Sequence, residues 1–181
     1  MRTSRGDTLV YVELKILLAI NRTLLVSAGL LIGLFAGRLN AQPSNGYVFF
    51  APGGETCCGA TYMTLQFGVG GEAVLKKGIG VGAELGALAF RDDFAGTVLG
   101  VLSPNGYYHF RHGRGVRVDP FVTAGYSLLF RTGHANYANY GGGVTYWFHP
   151  RLGARLEFRD QINTLGTIEH FWGVRFGLAF H

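Results

Sequence analysis

The chain has 181 residues, the length of one domain. Only 15% of them are charged, and the 29 glycines, which follow no three-residue period, accompany 14 phenylalanines and 9 tyrosines, which excludes a charge-driven disordered chain and a collagen-like one. The net charge of +5 gathers at one end: Arg2, Arg5, Lys15, Arg22 and Arg38 precede position 42 against Asp7 and Glu13, leaving 11 basic and 9 acidic residues beyond it. That distribution, with no basic helix and no RNA-binding aromatic motif, argues against a nucleic-acid partner.

Residues 1–22 are polar with scattered positive charge, and residues 23–36 (TLLVSAGLLIGLFA) are an uninterrupted apolar run. A basic segment, a short apolar core and a small residue at Ala41 have the form of a secretory signal peptide, with cleavage expected between Ala41 and Gln42. The 14-residue core is well short of the roughly 20 apolar residues of a membrane-spanning helix. An uncleaved anchor over 16–36 would have to carry Asn21 and Arg22 in its middle. The chain is therefore read as an exported protein, with residues 1–41 as leader and 42–181 as the mature domain.

Beyond Gln42, apolar and polar residues alternate with a period of two, the signature of strands. In 169–181, Trp172, Val174, Phe176, Leu178 and Phe180 share one face, while Gly173, Arg175, Gly177 and Ala179 share the other. The same holds in 151–160, where Leu152, Ala154, Leu156 and Phe158 oppose Gly153, Arg155, Glu157 and Arg159. It holds again in 62–73, 79–90, 118–131 and 139–148. The segments run about 10–14 residues, longer than most soluble strands and long enough to cross a bilayer at a tilt. The bulky face carries no charge and the charged face is rich in glycine, the reverse of a soluble sandwich. The spacing predicts eight strands over 46–52, 61–74, 79–90, 95–110, 118–131, 138–149, 151–160 and 169–181. Tight connections are expected at 75–78, 111–117 and 149–150, with short outward loops at 53–60, 91–94, 132–137 and 161–168. Ser103-Pro104-Asn105-Gly106 is a strong turn signal inside the fourth strand. A ninth strand would put the termini on opposite sides, so this tetrapeptide is read as a bulge or a strand end near the rim.

The exported part resembles the outer-membrane β-barrel superfamily of small OmpA/OmpX-type eight-stranded barrels. The resemblance rests on Tyr107-Tyr108-His109-Phe110 ahead of 118–126 (VDPFVTAGY), on Arg151-Leu152-Gly153 with Glu157, and on the closing Gly177-Leu178-Ala179-Phe180. It covers residues 45–181. It implies an all-β, antiparallel, up-and-down transmembrane barrel in the outer membrane of a Gram-negative-type cell, with outer-membrane lipid as its surroundings. It also implies that the barrel-assembly machinery reads the last strand, here through Trp172, Phe176, Leu178 and Phe180, with His181 displacing the terminal phenylalanine by one residue.

Charged groups inside so narrow a barrel must be paired, because an isolated ion in a low-dielectric interior is very costly. Glu72, Glu84 and Glu157 against Arg155, Arg159 and Arg175 form a matched set of three and three, read as an ion network filling the lumen. The expected role is structural or interactive, with a closed polar lumen and short outer loops. The alternatives are a narrow channel for small or apolar solutes and, less favoured, a lipid-modifying enzyme. Outer-membrane lipid A deacylases carry a His-x-Ser pair on a late strand, and this chain has none; His170, beside Glu169 and Trp172, has no serine after Ser127 to work with. No enzymatic activity and no cofactor are expected. Adjacent Cys57 and Cys58 cannot build a disulfide framework or a four-ligand zinc site, and are read as a vicinal disulfide, a soft-metal pair or an exposed loop pair without a fixed role. The basic stretch 111–117 is read as a solvated turn.

Overall fold

Backbone amides and carbonyls that enter lipid find no water to bond, so a spanning sheet must leave no edge unpaired. The chain meets this condition by closing on itself. The computed structural model describes residues 44–75, 77–93, 96, 98–111, 115–163 and 168–181. The leader and the Ala41–Gln42 junction lie outside the described residues. Eight antiparallel strands follow in order: β1 (Asn45–Cys57), β2 (Ala60–Val74), β3 (Ile79–Phe90), β4 (Leu99–His109), β5 (Val118–Phe130), β6 (His134–His149), β7 (Leu152–Asn163) and β8 (Glu169–Phe180). Each pairs with its neighbours in sequence, and β1 closes the ring against β8 from Gly46↔Phe180 to Thr56↔His170. The beginning of β1 and the end of β8 lie at one end of the barrel, here the terminal end; the opposite end is the far end.

The alternation in the sequence becomes an inside and an outside. Met63, Val69, Leu85, Phe110 and Phe176 point outward and are more than half exposed, while Tyr47, Glu157 and Arg159 point inward and are 1–2% exposed. Exposed aromatics frame the apolar band at the terminal end (Tyr108, Phe110, Tyr146, Phe148, Phe180) and toward the far end (Tyr126, Phe130, Trp172). An apolar outer band between aromatic girdles around a polar, charged interior is the surface of a barrel that stands in lipid.

Several boundaries differ from the sequence reading, and each difference has a physical reason. The expected loop 53–60 is mostly strand: β1 and β2 stay paired up to Cys57↔Ala60, and the connection is Cys58-Gly59 alone. Both residues have positive φ, 57° and 80°, as the tightest hairpin turn requires. The expected loop 132–137 shrinks likewise, because β6 begins at His134, opposite Phe130. At both places the ladder outlasts the apolar stretch, since strands that have left the lipid still pair but no longer need oily residues. β7 runs on to Asn163, past its expected end at 160, and β4 begins at Leu99 rather than at 95.

The Ser103–Gly106 tetrapeptide is neither a bulge nor a strand end. It runs through the middle of β4, paired in unbroken register with β3 (Glu84↔Ser103, Ala83↔Pro104). Toward β5 the ladder stops at Leu102↔Leu128 and resumes in the same register at Asn105↔Gly125. Pro104 has no N–H to give, so the ladder skips it and the strand does not bend away. Across the gap the Ser103 and Ser127 hydroxyls meet at 2.7 Å. The β1–β8 seam has a gap of the same kind at Ala51 and Pro52, between Phe50↔Phe176 and Gly53↔Gly173.

One inward glycine is dictated by a neighbour. A Cβ on Gly70 would lie 2.5 Å from the Tyr47 ring, which fills the space beside it. Gly70→Val is expected to force Tyr47 out of place and to abolish the compact band on unheated gels, an overpacking cost of about 1–3 kcal/mol. Gly106→Val, on the outer face, where a Cβ would meet nothing closer than 3.7 Å, is expected to keep that band.

Candidate functional site

The inside of the barrel is where the sequence spends its charge. Strand alternation brings Glu72 (β2), Glu84 (β3), Arg155, Glu157 and Arg159 (β7) and Arg175 (β8) to the inner wall, all 2–4% exposed. All six charges read from the sequence as inward stand here, and they contact one another. Glu84 is the centre. It accepts hydrogen bonds from Arg159 Nη1 (3.2 Å) and Nη2 (3.1 Å), Arg175 Nη1 (2.7 Å) and the Tyr47 hydroxyl (2.7 Å). Glu157 takes Arg159 Nε at 2.6 Å and Arg155 Nε at 3.3 Å, and Arg155 Nη1 reaches Glu72 at 3.4 Å. Three carboxylates and three guanidiniums thus form one connected chain of opposite charges.

Uncharged and aromatic side chains complete it. Gln66 accepts from Arg175 Nη2 (3.2 Å) and from Gln161 (3.3 Å). The Arg155 guanidinium lies over the Phe121 ring at 3.9 Å and the Tyr47 ring at 4.3 Å, and Arg175 lies over Phe49 at 4.4 Å. Such stacking offsets part of the desolvation of a buried guanidinium. Toward the terminal end, His109 bridges two carboxylates, with Nδ1 2.8 Å from Asp119 and Nε2 3.6 Å from Glu72.

Parity alone does not single out His109, Asp119, Tyr47 or Tyr107, whose hydroxyl donates to Glu84 at 3.3 Å, as members of this network. Their positions in the alternation give only the direction: Asp119 is in step with Thr123 and Ser127, and Tyr47 precedes an outward Val48. The expectation that bulk belongs on the outer face conceals inward aromatics. The lumen is accordingly not polar throughout. Near the far end Leu88, Val101, Leu129, Tyr137 and Phe171 form an apolar cluster inside the barrel. Tyr47, Phe49, Ala51 and Ala179 form a second, against which Trp147 packs. The His181 ring stacks on Trp147 at 4.0 Å.

Among the described residues, a cavity of about 10 Å³ touches the network, lined in part by Gln66, Arg159, Gln161 and Arg175. That is room for about one water. The ions, the stacked rings and two apolar clusters all project into the described interior.

The last-strand residues Trp172, Phe176, Leu178 and Phe180 all lie on the outer face, 40–53% exposed. His170 is on the same face, next to Asp160. Cys57 and Cys58 are joined as a vicinal disulfide at the far-end hairpin tip. In the basic stretch 111–117, residues 112–114 lie outside the described residues.

A closed ring, an apolar outer band and a charge-filled core define an eight-stranded antiparallel transmembrane β-barrel. Solved structures agree with this class. Neisserial surface protein A superposes with a TM-score of 0.63 at 11% identity, over 78% of this chain and 98% of that one. The N-terminal barrel domain of OprF from Pseudomonas aeruginosa gives 0.56 at 20% identity, over 78% and 98%. OprG from the same organism gives 0.52 at 11%, over 77% and 96%. No protein-family model and no curated protein matches the chain.

Removing one partner from a buried ion cluster leaves the others uncompensated, at about 3–5 kcal/mol. Glu84→Ala is expected to lower unfolding stability by that amount in urea titrations from lipid vesicles, because Arg159 and Arg175 both lose their main counter-charge. The paired change Glu84→Met with Arg175→Met, which removes one charge of each sign, is expected to cost less than Glu84→Ala alone.

Proposed function

We propose that the protein resides in the outer membrane of a Gram-negative-type cell as a closed, non-conducting barrel that acts structurally and presents short connections at its far end. The leader 1–41 directs its export, and the barrel-assembly machinery takes it up through the outward residues of β8. It carries out no reaction and needs no cofactor. The observation that supports this reading is the ion cluster itself: Glu84, Arg159 and Arg175 meet inside the barrel, and apolar side chains pack the interior to either side. A conducting barrel of this width would need a water-lined path along the same wall, where guanidiniums instead lie against aromatic rings. The likeness to a barrel named as a surface protein agrees with an outward-facing role.

Planar-bilayer recording tests it. The folded protein is expected to give no discrete conductance steps, whereas a variant with Glu84, Arg159 and Arg175 all changed to alanine, if it remains heat-modifiable, is expected to give them. Steps from the unaltered protein would establish the narrow-channel reading in its place.

A further inference from the structure

One carboxylate stands on the wrong side of the barrel wall. Alternation along β7 sends Arg159 and Gln161 inward and Asp160 outward, directly opposite Tyr140 on β6 and Trp172 on β8, which both face lipid. A charge on the lipid face costs about 2–4 kcal/mol for a basic residue at the midplane, somewhat less for an acidic one, and little near the interfaces. Asp160 lies at the upper edge of the apolar band. Toward the terminal end the outward residues of β7 are Phe158, Leu156, Ala154 and Leu152, while beyond Asp160 follows Ile162, opposite His170, with Asn136 further along β6. That is the level at which an acyl chain gives way to its headgroup.

Asp160 is also only 8% exposed. Its Oδ2 accepts from the Tyr140 hydroxyl at 2.9 Å and contacts His170 Nδ1 at 3.0 Å. Its Oδ1 is buried without a hydrogen-bond partner. Beside it the Trp172 indole is 40% exposed, held in place by its Nε1–H donating to Thr56 at 3.3 Å. Acyl chains can satisfy none of these groups.

We infer that Asp160, His170, Tyr140 and Trp172 form a lipid-level binding site for the sugar headgroup of a membrane glycolipid. Once the Asp160 carboxylate turns toward the lipid, a sugar hydroxyl supplies the donor that Oδ1 lacks, and the fixed indole face offers a flat apolar platform for a pyranose ring. A hydroxyl donor brings no charge of its own into a site at the edge of the apolar band. The inference rests on the membrane-barrel reading, and on the outer-membrane proposal only for which leaflet provides the lipid.

The test uses the protein folded in phosphatidylcholine nanodiscs and carrying Trp147→Phe, so that fluorescence reports Trp172 alone. Heat-modifiability of each sample shows separately that the barrel has inserted; a protein that fails to insert contradicts the membrane reading itself. Glucosyl diacylglycerol is expected to shift Trp172 emission saturably, at a half-saturating mole fraction about tenfold below that of phosphatidylethanolamine, a difference of about 1.4 kcal/mol. Asp160→Leu is expected to abolish that preference. His170→Phe, at a more exposed position, serves the same purpose if the leucine variant does not insert. Equal response to the two lipids in an inserted barrel, or an undiminished preference in an inserted variant, would overturn the site. Free glucose at matching concentration is expected to leave the emission unchanged; a saturable response to it would show a soluble-sugar site instead and overturn the lipid assignment.

Discussion

Everything in this molecule follows from the closure of one hydrogen-bonded ladder. Once β1 is paired with β8, every strand has two neighbours, and the side chains are sorted by parity alone into those that meet lipid and those that meet each other. The outer set has only to be apolar, whereas the inner set must fill a narrow tube with whatever the alternation delivers. Composition follows that division: large branched aliphatic and aromatic groups outside, glycine wherever an inner neighbour needs room.

The interior solves a harder problem than the exterior. Six charges without water must be balanced and almost fully hydrogen-bonded, since each would be prohibitive alone. They come from β2, β3, β7 and β8, neighbouring strands except across β1, whose Tyr47 and Phe49 provide the ring faces on which Arg155 and Arg175 lie. The opposite wall contributes Ser103, Ser127 and Asn139, joined by shorter-range hydroxyl and amide contacts. The six charges thus stand on one half of the tube, while the other half carries the His109–Asp119 pair and small neutral polar groups.

Much of this was legible in the sequence because a two-residue period survives any uncertainty about ends. The strand count, the outward faces of 151–158 and 172–180, and the six inward charges follow from parity and from the rule that bulk carrying no charge meets lipid. What stayed hidden has specific causes. Beyond the lipid the apolar signal fades while backbone pairing continues, so the strand through Cys57 and the one from His134 looked like loops. Pro104 reads as a breaker in any local scheme, and only closure on both sides keeps it in a strand. Inward aromatics such as Phe121 and Phe171 were masked by the expectation that bulk belongs outside. Asp160 closes the expected strand 151–160 directly after an inward arginine, and its place on the lipid side emerges only when Tyr140 and Trp172 are seen across from it.

The two prolines that interrupt the ladder have a mechanical consequence. In a ring of eight, the β1–β8 seam and the β4–β5 seam are diametrically opposed, and each lacks two consecutive pairings, at Pro52 and at Pro104. A tube with two softened lines on opposite sides does not deform evenly. It flattens along one diameter, as a hose creased on both sides does, while the intact seams between keep their curvature. The barrel therefore has a built-in direction of compliance, and lateral pressure from the surrounding bilayer would ovalise it along that axis before any other.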